Sequence, residues 1–168
     1  TLSVLQNSLI QIVDEMDLAQ EKTAFSSIIS EARDRANGIY MMETGEVVVQ
    51  GRHSLPLFVG VMQETTKSVI DHGLALGPGD VVIVNDPYLG GTHLMDVKCV
   101  RPFYYKGKLW CYLANSAHWA DIGGNVPGGF ASKATEIQQE GLRIPPIRVV
   151  RGGEYDEEIV ELILCNCR

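Results

Sequence analysis

Residues 97–116 read VKCVRPFYYKGKLWCYLANS and decide the fold of this chain. Apolar, β-branched and aromatic residues dominate both halves, as is typical of strands that pack on a core. Lys106-Gly107-Lys108 between the halves is a turn sequence, because glycine permits the backbone conformations that tight turns need. The stretch therefore predicts an antiparallel hairpin with strands over 97–105 and 109–116, and it places residues before the first strand beside residues after the second.

The tetrapeptide His-x-x-Asp flanks this hairpin twice, with His93 and Asp96 before it and His118 and Asp121 after it. Neutral imidazole and carboxylate groups are ligand types that zinc, manganese and iron share. Two copies brought together by a hairpin predict a divalent metal site. The alternative is that these side chains only cap strand ends through hydrogen bonds.

The composition is that of one soluble globular domain, since the 168 residues are 45% hydrophobic and carry a net charge of -7. No basic run is present, so we expect no nucleic-acid partner. No apolar stretch approaches the roughly 20 residues that cross a bilayer, and no signal-peptide pattern opens the chain. We therefore expect no membrane partner and a cytoplasmic location. The cysteines lack metal or redox spacing, which favours structural roles.

Hydrophobic periodicity predicts the elements that precede the central hairpin. Apolar residues at helical spacing predict a helix over 2–20, and a second helix over 57–71 is closed by Gly73. A strand, turn and strand are expected over 39–49. The β-branched run at 81–84 predicts a strand that is covered on both faces.

The remaining segments complete an α+β pattern. Residues 123–141 predict a long loop with one turn of helix near 134–138, and residues 154–164 predict a last helix. That helix carries more apolar residues than one face needs, so we expect Ile159 and Ile163 in an exposed patch that a larger protein covers. The whole pattern predicts a mixed or antiparallel sheet with helices packed on one face, forming a unit without internal boundary over 1–168.

Three motifs then resemble the hydantoinase B/oxoprolinase family in that family's order. They are NDPYLGGTHLMD at 85–96, AHWADIGG at 117–124 and QEGLRIPP at 139–146. EARD at 31–34 and HSLP at 53–56 are also similar to the family's pattern, so the resemblance covers nearly the whole chain. Subunits of this B type are several times longer, which implies that these residues are the amino-terminal portion of one.

The resemblance implies a subunit of an ATP-dependent hydrolase that opens small cyclic amides of hydantoin, 5-oxoproline or lactam type. It also implies a kinase-like hydantoinase A-type partner subunit that binds the ATP, and the chain itself contains no Gly-x-x-x-x-Gly-Lys-Ser/Thr phosphate loop. Two alternatives stay open. One is an ATP-dependent carboxylase acting on a ketone of acetone or acetophenone type, and the other is a non-catalytic, metal-stabilised scaffold that docks the ATPase subunit.

With the resemblance included, His93, Asp96 and His118 are the expected ligands of a zinc or manganese ion, with iron as a third option. Asp121 is expected beside them, either on the metal or holding an imidazole by a hydrogen bond. Asp34, in the EARD segment, is a candidate remote ligand, and its alternative interpretation is a surface acid at a helix end.

Other polar residues of the motifs have weaker assignments. Glu140 is the candidate general base, and the alternative is a salt bridge with Arg143. Asp86 is expected to brace the glycine loop after it by a hydrogen bond rather than to bind metal. Trp119 is expected to pack in the core, with a wall of the metal pocket as its alternative. His72 is explained by the dipole at the end of its helix.

Overall fold

The computed structural model describes residues 2–168, which form four helices around one seven-stranded antiparallel sheet. The helices are α1 (Leu2–Thr23), α2 (Ser27–Ser30), α3 (Pro56–Asp71) and α4 (Glu157–Asn166). The strands are β1 (Arg35–Met41), β2 (Val47–Gln50), β3 (Val81–Val84), β4 (Asp96–Tyr105), β5 (Lys108–His118), β6 (Ile147–Arg151) and β7 (Glu154–Tyr155). They lie in the order β2-β1-β5-β4-β3-β6-β7.

The predicted hairpin is confirmed as β4 and β5, and it forms the middle of the sheet. Its two-residue turn has Lys106 at φ 48 and Gly107 at φ 75, the left-handed pair that suits the twist of hairpin strands. The ladder extends further than the sequence predicted, because it continues until Asp96 lies opposite His118. Both side chains therefore project from the same face of the sheet at the open end of the hairpin.

Helix α3 covers that face of the sheet. Phe58 and Met62 of α3 share a buried cluster with Val82, Val100 and Tyr112 of the strands. Along each strand, the residues next to these point to the other face of the sheet. Burying aromatic and aliphatic side chains of this size contributes about 1.5–3 kcal/mol each. The cluster fixes α3 against the strands that end at the candidate site.

Helices α1 and α4 pack on the opposite face. Val13 of α1 contacts Ile39 and Cys111, while Ile163 of α4 shares a cluster with Ile83 and others from the central strands. The α+β class and the antiparallel sheet are thus confirmed, and β3 is covered on both faces as its β-branched run predicted. The expectation that helices pack on one face is wrong, because both sets of alternating strand residues are apolar and each set needs cover.

The last helix also differs from its prediction. It begins at Glu157 rather than 154, and Asp156 caps it by accepting a hydrogen bond from the Ile159 backbone N–H at 3.3 Å. Ile163 is only 6% exposed and Ile159 is half-buried. The expected exposed patch at these two residues is therefore wrong, since their i, i+4 spacing turns both toward the sheet. Leu162 and Leu164 are the exposed apolar residues of this helix, at 55% and 65%.

Among residues 2–168, no helix has both the length and the apolar character that crossing a bilayer requires.

Candidate metal centre

The open end of the β4–β5 hairpin brings three of the predicted ligands together. Nδ1 of His118 lies 2.7 Å from Oδ1 of Asp96, and Nδ1 of His93 lies 3.2 Å from Oδ2 of the same carboxylate. His93, Asp96 and His118 each offer a ligand atom, and these atoms lie within 4.8 Å of one another. The prediction that the two imidazoles meet on one side of the hairpin is confirmed.

His93 is held in place by the loop before it. Asp86 accepts a hydrogen bond from the Tyr88 backbone N–H at 3.0 Å, a bracing bond of the kind that the sequence predicted, and it caps a single helical turn that the sequence did not predict. Gly90 follows in the left-handed conformation at φ 78 and touches the backbone of α3, where any added Cβ would overlap the Thr65 nitrogen. Thr65 also donates a hydrogen bond to the Gly90 carbonyl oxygen. The loop is therefore fastened to α3.

Asp34 lies at the margin of this cluster. Its Oδ2 is 3.6 Å from Nδ1 of His118, and its backbone oxygen accepts the His118 N–H at 3.0 Å. Burial raises the pKa of the Asp34 carboxyl. The negative charge of Asp96 also raises this pKa, whereas the imidazoles of His118 and His93 lower it. Asp34 is thus a second carboxylate whose ionised form a cation in the cluster would stabilise.

Asp96 is the ionised centre of the group. Burial alone would raise its pKa, but hydrogen bonds from His118, Thr92 and the His93 backbone N–H lower the pKa to about 2. The Asp96 hydrogen bond in turn raises the pKa of His118 above its usual value. A cation that binds between the Asp96 carboxylate and the His118 imidazole would have to displace the His118 proton. The affinity of the cluster for the cation would therefore fall in acid.

Lys98 is a residue of the site that the sequence interpretation missed. It is fully buried, and its Nζ donates to the Asp96 backbone oxygen at 2.9 Å and contacts Thr92 Oγ1 at 3.3 Å. Burial lowers the pKa of Lys98 to about 8, although the charge of Asp96 opposes the shift. The ammonium also lies 5.9 Å from the centre of the Phe58 ring. The available indication was a lysine two residues into the strand after Asp96, on the same side of the alternation as Asp96 and Val100.

Arg35 is a second buried charge that the sequence did not reveal. Its guanidinium is inaccessible to solvent and binds Asp17 of α1 through Nε at 3.1 Å and Nη2 at 2.9 Å, with Glu21 as a further partner. The carboxylates replace the water that the buried guanidinium has lost, so its N–H groups remain hydrogen-bonded. The pair ties α1 to the first residue of β1, directly after Asp34.

Asp121 does not join the cluster, although the sequence predicted that it would lie beside His93, Asp96 and His118. Its oxygens accept hydrogen bonds from the backbone N–H groups of Gly123 at 2.7 Å and Gly128 at 3.1 Å, and Arg168 is a further partner. These bonds, with that of Gly123 foremost, lower the Asp121 pKa to about 2. The physical reason is that β5 ends at His118, so the chain after it turns away instead of mirroring 93–96.

A cavity of about 260 Å³ opens beside the exposed His93, whose side chain is 62% accessible. Glu140 lies at its edge and does not pair with Arg143, which instead lies 3.6 Å from Asp86. Trp119 does not line the cavity and packs with the cluster on the α4 face. The cavity wall consists of His93, Leu94, Met95, Gly129, Phe130, Ala131, Ser132 and Glu140.

The model of the family described as Hydantoinase B/oxoprolinase matches residues 1–168. The chain belongs to this family. It is 36% identical to caprolactamase subunit beta of Pseudomonas jessenii, over all of this chain and 29% of that subunit. It is 32% identical to 5-oxoprolinase of Dictyostelium discoideum, over 95% of this chain and 12% of that protein. The chain therefore spans less than a third of each of these relatives.

Solved structures agree with the fold. The crystal structure of ATP-dependent caprolactamase from Pseudomonas jessenii superposes with a TM-score of 0.86 at 34% identity, over 97% of this chain and 28% of that one. The nucleotide-free structure of acetone carboxylase gives a TM-score of 0.89 at 20% identity, over 99% of this chain and 22% of that one. The second likeness concerns the fold alone. In both, the same fold is part of a longer chain.

Proposed function

We propose that this chain is the metal-bearing part of an ATP-dependent enzyme that opens a small cyclic amide of hydantoin, 5-oxoproline or lactam type. The observation that carries the proposal is the group of His93, Asp96 and His118, of which His93 lines a small cavity. The 36% identity to a caprolactamase subunit supports an amide as the substrate class. In this proposal the chain forms a single domain without an internal boundary.

The residues of the cluster suit a divalent cation. Two imidazole nitrogens and one carboxylate form a donor set common to zinc, manganese and iron, of which we favour zinc or manganese. Asp34 would complete the set, because a cation would relieve the repulsion between its carboxylate and Asp96. When bound, such an ion polarises a carbonyl oxygen or lowers the pKa of a coordinated water.

The chain's own residues would then orient this chemistry. Asp96 holds the His118 ring in one orientation, while Lys98 bonds to the Asp96 backbone oxygen and its charge adds to the hydrogen bonds that keep the carboxylate ionised. His93 faces the cavity and thereby defines where a substrate carbonyl would approach. Glu140 at the cavity edge is the proposed base that takes a proton from the attacking water. Asp121 instead holds the loop at 123–128 by accepting hydrogen bonds from the backbone N–H groups of Gly123 and Gly128.

ATP would be used by a partner. An amide in an unstrained ring resists hydrolysis, and transfer of a phosphoryl group from ATP to its oxygen would activate the ring carbon toward water. We assign this step to a kinase-like hydantoinase A-type subunit, since this chain lacks a phosphate-binding loop motif. Attack by one water would then break the ring C–N bond and leave an acyl phosphate, and a second water would release phosphate and the open-chain product.

Two other functions remain candidates. A ketone carboxylase is the alternative that the motif resemblance left open; acetone carboxylase shares the fold at 20% identity, well below the 34% identity to caprolactamase. A metal-stabilised scaffold that docks the ATPase subunit is consistent with the buried ligands Asp96 and His118. We place the protein in the cytoplasm, which the free state of all four cysteines supports.

The deciding experiment uses the full-length subunit purified with its partner and measures ATP hydrolysis with a cyclic amide, with a ketone and bicarbonate, or with neither. We expect stimulation by the amide, loss of that stimulation in His118→Ala, and its retention in the matched variant His72→Ala. Stimulation by the ketone alone would establish the carboxylase. Amide-stimulated activity that survives His118→Ala would leave the metal cluster with a scaffold role.

A further inference from the structure

Phe130 has an unusual setting for an aromatic residue. It is 73% exposed on an irregular loop, yet its ring stacks on the buried imidazole of His118 with centres 5.9 Å apart and planes at 21°. Gly129 before it is left-handed at φ 71, and a Cβ there would overlap the sulfur of Met95. The backbone is therefore shaped to bring Phe130 over the metal cluster, where it leaves one face of its ring open.

That open aromatic surface belongs to the wall of the cavity beside His93. Leu94 and Met95 supply further apolar wall, and Glu140 is the charged group of the lining apart from the imidazole. The volume of about 260 Å³ is at the small end of ligand pockets. The space suits a compact ring that presents carbon atoms to Phe130 and Met95.

The charged side chains around the cavity do not favour an anionic ring. Among the described residues that line it, none is lysine or arginine. The carboxylates of Asp34, Asp96 and Glu140 would balance a divalent ion together with the buried Lys98 ammonium, which leaves no excess positive charge. A substrate carboxylate would therefore meet no lysine or arginine among these lining residues, and its placement against Glu140 or the apolar wall would cost free energy.

We propose that Phe130 determines the specificity of this site by packing on the carbon face of an uncharged lactam-type ring, and that a ring bearing a carboxylate is rejected. This inference rests on the proposed function and narrows it. Of the three cyclic amides considered above, 5-oxoproline carries a ring carboxylate and is therefore disfavoured. The amide carbonyl of the accepted ring would point toward His93, the polar end of the cavity.

A matched pair of rings tests the charge argument. 2-Pyrrolidinone and 5-oxoproline differ only in the carboxylate, and kcat/KM is measured for both as ring-dependent ATP hydrolysis by the full-length complex. We expect the complex to prefer 2-pyrrolidinone by at least about tenfold. Equal use of the two rings, or a preference for 5-oxoproline, would overturn the inference while leaving an amide hydrolase in place.

Variants of Phe130 test the packing argument. We expect Phe130→Ala to raise KM for 2-pyrrolidinone about tenfold with unchanged metal content, and Phe130→Leu to recover part of the loss. Phe25→Ala, at another exposed phenylalanine outside the cavity, should behave as the wild type. An unchanged KM in Phe130→Ala would contradict the assignment.

Direct binding separates this inference from the proposed function. If no cyclic amide stimulates ATP hydrolysis, hydantoin and caprolactam included, the proposed function fails, and binding of 2-pyrrolidinone to the metal-loaded complex is then measured by ligand-observed NMR. Binding that Phe130→Ala weakens and Phe25→Ala preserves supports the cavity assignment even then. Absence of binding, or binding that is indifferent to Phe130, overturns it.

Discussion

At the scale of single residues, both imidazoles are organised by the carboxylate of Asp96, and Asp121 takes no part. Asp96 accepts the His93 backbone N–H at 3.1 Å, a contact that the three-residue spacing of the tetrapeptide makes possible, and it faces His118 across the ladder. Each imidazole is thereby oriented by the same side chain. Asp121 has the same spacing from His118 but follows the end of the strand, and so it serves the loop instead.

The depressed pKa of Asp121 leads to a prediction about acid stability. A folded-state pKa of about 2 against an ordinary 3.8 means that the unfolded chain binds more protons between these values. The stabilisation is therefore complete above the ordinary value and is lost as the pH falls toward about 2. We expect Asp121→Asn to lower the free energy of unfolding by about 1 kcal/mol near neutral pH.

Denaturant titrations of the wild type and Asp121→Asn measure this contribution. The difference between them should shrink as the pH is lowered from about 6 to about 2.5. A difference that stays constant over that range would show that the carboxylate does not hold the loop through its charge.

Sequence spacing was sufficient to predict that His93, Asp96 and His118 lie close together, because the hairpin between them has an unambiguous turn. It was insufficient for Lys98, since a lysine in an alternating strand is usually exposed and only the position of α3 shows that it is covered. Phe130 was missed for a related reason. Its importance comes from a stack on His118 that no local pattern encodes.

At the scale of elements, the position of His93 depends on how the glycine loop lies on α3. The sequence predicted the central hairpin and α3 closely, because each has a clear period and a clear end. It missed β6 and β7, although Arg151-Gly152-Gly153-Glu154 is a hairpin turn sequence. The strands beside it are short and partly exposed, so their apolar pattern is weak.

Two glycines with the same conformation allow the loop contact to be tested. Gly90 and Gly107 have φ values of 78 and 75, but a Cβ at Gly90 would overlap α3, whereas at Gly107 no atom lies within 4 Å. We expect Gly107→Ala to cost about 1 kcal/mol, the price of a left-handed alanine. Gly90→Ala should cost about 1–3 kcal/mol more, because α3 and the loop must separate.

Thermal or denaturant unfolding of both variants measures the difference, and metal content reports the position of His93. We expect Gly90→Ala to lose metal affinity and Gly107→Ala to keep it. Equal stability of the two variants would mean that the loop is not fastened to α3.

At the scale of the whole molecule, apolar surface remains uncovered. Leu162 and Leu164 of α4 are exposed, as are Leu2 and Leu5 of α1. Related proteins contain this fold within chains more than three times as long, as the 29% coverage of the caprolactamase subunit indicates. Surfaces of this kind are typical of contacts with further protein.

The 168-residue polypeptide studied alone should therefore self-associate. We expect the double variant Leu162→Gln, Leu164→Gln to shift sedimentation toward the monomer without loss of helical circular dichroism. Ile163→Gln is the matched control on the same helix, and because Ile163 is buried it should unfold the protein instead. A wild-type chain that sediments as a monomer at all concentrations would disprove the prediction.

The central claim is that His93, Asp96 and His118 hold a divalent metal ion. Elemental analysis of the purified full-length subunit tests it most directly, with His118→Ala as the probe and His72→Ala as the control at the end of α3. We predict a stoichiometric divalent metal in the wild type and in His72→Ala, and its loss from a folded His118→Ala protein. Wild-type metal content in His118→Ala, or no metal in any of the three proteins, would contradict the account.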